Sequence, residues 1–153
     1  MKRITRSALI VSAILLAADV VYVIKHLNTM NILQFLGAVI LLPCVLISLI
    51  IASLIVETPF REMKQQGIIA GISGAVIAVL SYIVTRQNQS YIENIVENSK
   101  KMTKPSNLSV SDIRISNGVT SYVFIFLMIF IFSMSFIALF NIWRERRKQN
   151  VSK

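Results

Sequence analysis

Four long apolar runs separated by charged connectors constrain this chain more than any other feature, because they decide which solvent it folds in. The runs are Ser7–Ile24, Ile32–Val56, Gly67–Thr85 and Val119–Trp143, of 18, 25, 19 and 25 residues. At about 1.5 Å of rise per residue, each spans a hydrocarbon layer of roughly 30 Å with modest tilt or snorkelling ends. Hydrophobic residues make up 55% of the 153 and are contiguous rather than amphipathic, which a soluble core of this size does not require. The pattern predicts an all-α integral membrane protein. It forms a single membrane domain over residues 1–153, an antiparallel four-helix transmembrane bundle with a partly helical outer loop, 86–118, between the third and fourth spans.

The formal charge of +9 would suggest a nucleic-acid ligand in a soluble chain, but its placement points to lipid instead. Lys2, Arg3 and Arg6, then Arg61 and Lys64, then Arg144, Arg146, Arg147, Lys148 and Lys153 fall on one side of the predicted topology, ten basic residues in short segments. The other side carries six, most of them in a long loop, where they weigh little on orientation. Both termini are therefore expected in the cytoplasm. Arg144, Arg146, Arg147 and Lys148 would anchor the fourth span against anionic headgroups, at on the order of 1 kcal/mol each.

The opening segment resembles a signal peptide with a break after Ala18, but Val20, Val21, Val23 and Ile24 continue the apolar run. Cys44 is the single cysteine, so no internal disulfide forms. Frequent Ile, Lys and Asn suggest a low-GC bacterium and its plasma membrane.

The connectors Lys25–Asn31 and Glu57–Gln66 are short enough to force helical hairpins, the second following a helix stop at Thr58-Pro59. Within the outer loop, Ser90-Tyr91-Ile92-Glu93 reads as a capping box. It opens an amphipathic helix through Ile92, Ile95, Val96 and Ser99 to about Met102, ended by Lys104-Pro105. That helix either rests on the headgroup layer or covers the mouth of the bundle. Leu108–Ser111 alternates like a strand and is expected to remain extended.

Inside the third span, Gly67, Gly71, Gly74, Ala78, Ser81 and Thr85 recur at spacings of four and three. They form a small-residue face suited to close helix packing, which places this span at the structural centre. Span two offers a matching stripe of Gln34, Gly37, Leu41, Cys44 and Ser48, with a kink expected at Pro43. Span four carries phenylalanines on every side and is expected to be peripheral, with Phe126 and Phe130 as candidates for facing a partner.

Asp19 is the only charge at membrane depth. Burying it costs at least ~2.5 kcal/mol on insertion scales, so it should face the bundle or water. Ser12, Asp19, Tyr22 and His26 share a helical face and suggest proton or cation coupling through Asp19, Tyr22 and His26. The plainer reading is a carboxylate that fixes helix orientation.

Catalysis is not expected. A membrane aspartyl protease needs two paired carboxylates, and the one histidine is remote from Cys44, Ser133 and Ser135. No metal or cofactor pattern is present. The expectation is a small non-catalytic accessory or regulatory subunit, or an immunity-type protein. It would act through helix–helix and outer-loop recognition of another membrane protein or of itself. The alternative is a proton- or cation-coupled transporter or channel subunit using Asp19.

Overall fold

The computed structural model describes residues 2–58, 62–87, 89–103 and 119–151. The remainder of the outer loop, including Leu108–Ser111, lies outside the described residues, as do Pro59 and Arg61. The helices are α1 (Lys2–His26), α2 (Ile32–Glu57), α3 (Met63–Gln87), α4 (Gln89–Thr103) and α5 (Val119–Val151). Among the described residues four helices, α1, α2, α3 and α5, are long and apolar enough to cross a membrane. The protein is accordingly a multi-pass membrane protein by length and composition.

The turn between α1 and α2 closes on its own backbone. The amides of Thr29 and Met30 donate to the His26 carbonyl at 2.9 and 3.0 Å. Asn31 then caps α2: its side chain accepts from the Gln34 amide at 2.9 Å, and the Gln34 side chain accepts from the Asn31 amide at 3.1 Å. This reciprocal pair satisfies two orphan donors at the helix start. At the far end of the pair, the Thr5 hydroxyl donates to Glu57 Oε1 at 2.7 Å.

Helix α2 is not a simple kinked helix. Phe35–Leu41 forms a π-helical turn, closed by the Leu42 amide donating to Gly37 five residues back. Pro43, immediately beyond, supplies no N–H, and the wider turn absorbs that missing donor where a sharp kink at Pro43 was expected. The extra residue per turn also rotates everything N-terminal to it. Cys44 and Ser48 are therefore buried while Gln34 and Leu41 are exposed, so the expected span-two stripe does not form one face.

The centre of the packing is the α2–α5 pair: α2 contacts α1 and α5, and α5 contacts both α2 and α3. Ile129, Ser133 and Ile137, one turn apart along α5, are 1%, 0% and 0% exposed. Opposite them on α2, Ala52 is fully buried, and the Ser48 hydroxyl lies 2.6 Å from the Cys44 carbonyl and 3.1 Å from that of Ile129.

The α3 glycines also turn towards α5. A Cβ added at Gly67 would stand 3.7 Å from Met134, at Gly71 3.8 Å from Phe130, and at Gly74 3.4 Å from Phe126 and 3.6 Å from Ile129. Span four is thus interior to the helix arrangement rather than peripheral, and α3 is a flanking helix rather than the centre. The reason is shape: bulky rings on α5 fill the groove left by missing side chains on α3. For the same reason α3 lies mainly on α5 and only lightly on α2, so spans two and three do not form the close hairpin that their short connector suggested.

A leucine at Gly74 should push α3 off α5 and destabilise the folded protein by roughly 1–3 kcal/mol, the usual cost of overpacking. Gly37 has nothing within 4 Å of an added Cβ, so Gly37→Ala should leave the melting temperature in detergent unchanged. Equal effects of the two substitutions would contradict the α3–α5 packing.

Candidate functional site

The most unusual chemistry lies on the face of α1 turned to α2. Thr5, Ser12 and Asp19 recur at intervals of seven and are 2%, 0% and 7% exposed, whereas most of the apolar residues on α1 are open to its surroundings. Thr5 is satisfied by Glu57, which also has Arg6 Nε at 3.9 Å. Ser12 donates back to its own helix, 2.7 Å from the Ala8 carbonyl and 3.1 Å from that of Leu9. Asp19 differs, because its Oδ2 is buried and has no hydrogen-bond partner among the described residues. A buried polar atom left unpaired costs about 1–3 kcal/mol, and a charged one more.

Tyr22 and His26 do not extend this seam. Tyr22 is 43% exposed, and its ring stacks on His26 with ring centroids 4.5 Å apart at 28°. His26 Nδ1 lies 2.9 Å from the Tyr22 carbonyl. The expected polar stripe therefore divides. Asp19 belongs to the helix interface with Thr5 and Ser12, and Tyr22 with His26 forms a separate exposed pair at the end of α1.

A second constellation sits beside the α1–α2 turn. Helix α4 is docked there through residues that sequence inspection did not single out for this role. The Ile32 amide donates to Ser99 Oγ at 2.8 Å, and Ser99 in turn donates to the Ile95 carbonyl at 2.7 Å. The Asn98 side-chain amide donates to the carbonyls of Asn28 at 2.8 Å and Met30 at 3.3 Å. Ile95 and Met30 are 0% and 1% exposed. Of the two placements open to this amphipathic helix, α4 takes the one that covers an end of the helix pair. The signal in the sequence was Ser99 on the same face as Ile95, a polar residue where an apolar one would have sufficed.

At the opposite end, the Asn141 side chain donates to Gln66 Oε1 at 3.1 Å, tying α5 to the start of α3. Arg146 is exposed and, with Leu139, Phe140, Ile142 and Trp143, lines a shallow recess of about 440 Å³. Arg144 is half-buried, and the side chains of Arg147 and Lys148 lie outside the described residues.

Phe126 and Phe130 stack on one another at 6.1 Å and 15° and lie against Gly74 and Gly71. Both rings are half-buried, one side packed on α3. Gly67 meets Met134, and Ala78 is 8% exposed. Towards the Val119 end of α5, Ala75, Ala78, Val79 and Tyr82 of α3 and Val119, Tyr122, Val123 and Phe126 of α5 border an apolar groove of about 450 Å³. Tyr82 and Tyr122 meet edge to face at 5.1 Å along it.

The described residues hold no group of three or more His, Cys, Asp or Glu side chains placed to bind a metal ion. No protein-family model, curated protein or solved structure matches this chain.

Proposed function

We propose that this is a non-catalytic accessory protein of a membrane assembly, a regulatory subunit or an immunity-type protein, that recognises its partner through the outer helix and the loop around it. In this reading the four spans form an antiparallel bundle with both termini in the cytoplasm, in the plasma membrane of a bacterium. The basic residues Arg144, Arg146, Arg147 and Lys148 then meet anionic lipid on the inner face.

The observation that carries the reading is the docking of α4. An amphipathic helix held only by the headgroup layer would have no need of Asn98 and Ser99 clamped onto Asn28, Met30 and Ile32. Held in this way, α4 presents Glu93 and Asn94 outward on a fixed support. A preorganised surface binds without a large ordering cost. The grouping of contacts supports the topology as well. The N-terminal part of α1 meets the end of α2, and the start of α3 meets α5, on one side; the first connector meets α4 on the other.

A second reading, a small proton- or cation-coupled transporter or channel subunit, draws on the buried carboxylate of Asp19.

Purification from native membranes in mild detergent should yield a stoichiometric second protein. Replacing Glu93 and Asn94 by Lys should reduce its recovery at least ~10-fold, equivalent to about 1.4 kcal/mol, without lowering membrane levels. A homogeneous particle of this chain alone would sink the accessory reading. For topology, in a Cys44→Ser background, Asn94→Cys should react with a membrane-impermeant maleimide in intact cells and Lys64→Cys only after lysis. The reverse pattern would invert the proposed orientation.

A further inference from the structure

We propose that the groove between the Val119 end of α5 and the facing part of α3 is a binding site for the acyl chains of one phospholipid. It continues the seam along which these two helices already pack. In that seam each small residue of α3 is met by a bulky one of α5: Met134 at Gly67, Phe130 at Gly71 and Phe126 at Gly74. Beyond Phe126 the series ends. Helix α3 goes on with Ala75 and Ala78, and α5 answers them with Val119 and Val123 beside Tyr122, so that about 450 Å³ stays open between the helices. A ring at position 119 or 123 would narrow that opening. Contact between fitted surfaces is the main source of cohesion between helices in lipid, and the seam gives it up here over about two turns.

The dimensions select the occupant. From Ala75 to Tyr82, and from Phe126 back to Val119, the groove runs seven residues along each helix, about 10 Å. A volume of about 450 Å³ over that length leaves a mean section of about 45 Å², roughly half the ~80–110 Å² of a helix with its side chains. A transmembrane helix of a partner does not enter such a slot, whereas the slender, flexible chains of a lipid do. Val79 and Val119 of the lining are 58% and 75% exposed, so the groove opens sideways, towards the bilayer.

The order of the lining fits an amphiphile. The described residues along it are apolar up to Tyr82 and Tyr122, whose rings meet edge to face. Tyrosine keeps its ring in the hydrocarbon and its hydroxyl at headgroup level. A phospholipid with its chains between Ala75 and Val123 then has its polar group at the level of the tyrosines. The site involves neither Asp19 nor the Glu93–Asn94 surface of α4, and it holds whether the protein recognises a partner or transports an ion.

The test is photolabelling of the full chain in vesicles of phosphatidylethanolamine and phosphatidylglycerol, doped with a phosphatidylglycerol that carries a diazirine in one acyl chain, with the labelled residues mapped by mass spectrometry. Val20 and Val21 of α1, 49% and 53% exposed, report contact with bulk lipid at a comparable distance from a helix end. Labelling of Val79, Val119 and Val123 should exceed theirs at least ~10-fold, the ratio given by about 1.4 kcal/mol of preference over bulk lipid. The double variant Val119→Phe, Val123→Phe, which continues the ring series, should bring Val79 down to the α1 level and leave α1 labelling unchanged. Groove labelling no higher than that of Val20 and Val21 would mean ordinary lipid contact only and overturn the site. Labelling of Val79 that the double variant leaves unchanged would do the same. A dimer in which Val79 and Val123 are shielded from the probe would also overturn it, by giving the groove to a second copy. If the double variant does not fold, the comparison within the wild type decides.

Discussion

Helices surrounded by lipid gain nothing from hiding apolar side chains, since the acyl chains outside are as apolar as the leucines inside. What remains is close contact between surfaces that fit. In this chain that constraint is met along α5, whose ridge of Ile129, Ser133 and Ile137 is almost wholly enclosed. On one flank it meets Ala52 and Ser48 of α2; on the other its rings enter the glycine face of α3. Ser133 sits in the middle of the ridge, fully buried, and its hydroxyl has no partner among the described residues. Helix α1, by contrast, packs on α2 and is otherwise open to its surroundings.

Polar contacts between helices concentrate at the ends of the bundle. Thr5 with Glu57 and Gln66 with Asn141 join one end, and Asn98 and Ser99 join α4 to the α1–α2 turn at the other. Hydrogen bonds between membrane helices average only about 0.6 kcal/mol, so these are weak fasteners. Their value lies in position. A bond at each end of a helix pair fixes the longitudinal register that apolar packing alone leaves loose, and the α1–α2 register is what sets the depth at which Asp19 meets α2.

The spans themselves were legible from hydropathy, because length and continuity of apolar sequence are what a bilayer selects. The glycine face of α3 was legible for the same physical reason: Gly67, Gly71 and Gly74 have no other use in a span. Which helix fills that face was not, since Phe126 and Phe130 belong to a set of rings distributed around all of α5, and a pattern without direction names no mate. Pro43 marked the right part of α2, but a proline signals a missing donor without saying how the backbone absorbs it, and the π-turn followed. Asp19 stood out as the only intramembrane charge. Its separation from Tyr22 was invisible because i and i+3 share a face only broadly, and here the edge of the α1–α2 interface passes between them. The docking of α4 rested on Asn98 and Ser99, ordinary polar residues whose partners are backbone groups some seventy positions away.

Asp19 and Pro43 are each unremarkable when taken separately. Prolines are tolerated in membrane helices because neighbouring groups satisfy what they free, and a lone carboxylate at a helix interface often finds a hydroxyl. At Pro43 the π-turn is that adjustment, whereas the buried Oδ2 of Asp19 has no hydrogen-bond partner among the described residues. Elsewhere along the same α1 face, Thr5 bonds across the interface and Ser12 bonds to its own backbone. If the position served only to hold α1 against α2, a serine or alanine would pack there without a desolvation cost of at least ~2.5 kcal/mol. The carboxyl group at this position is therefore the costliest feature of the α1–α2 interface, and a proton on it would both remove the charge and supply a donor.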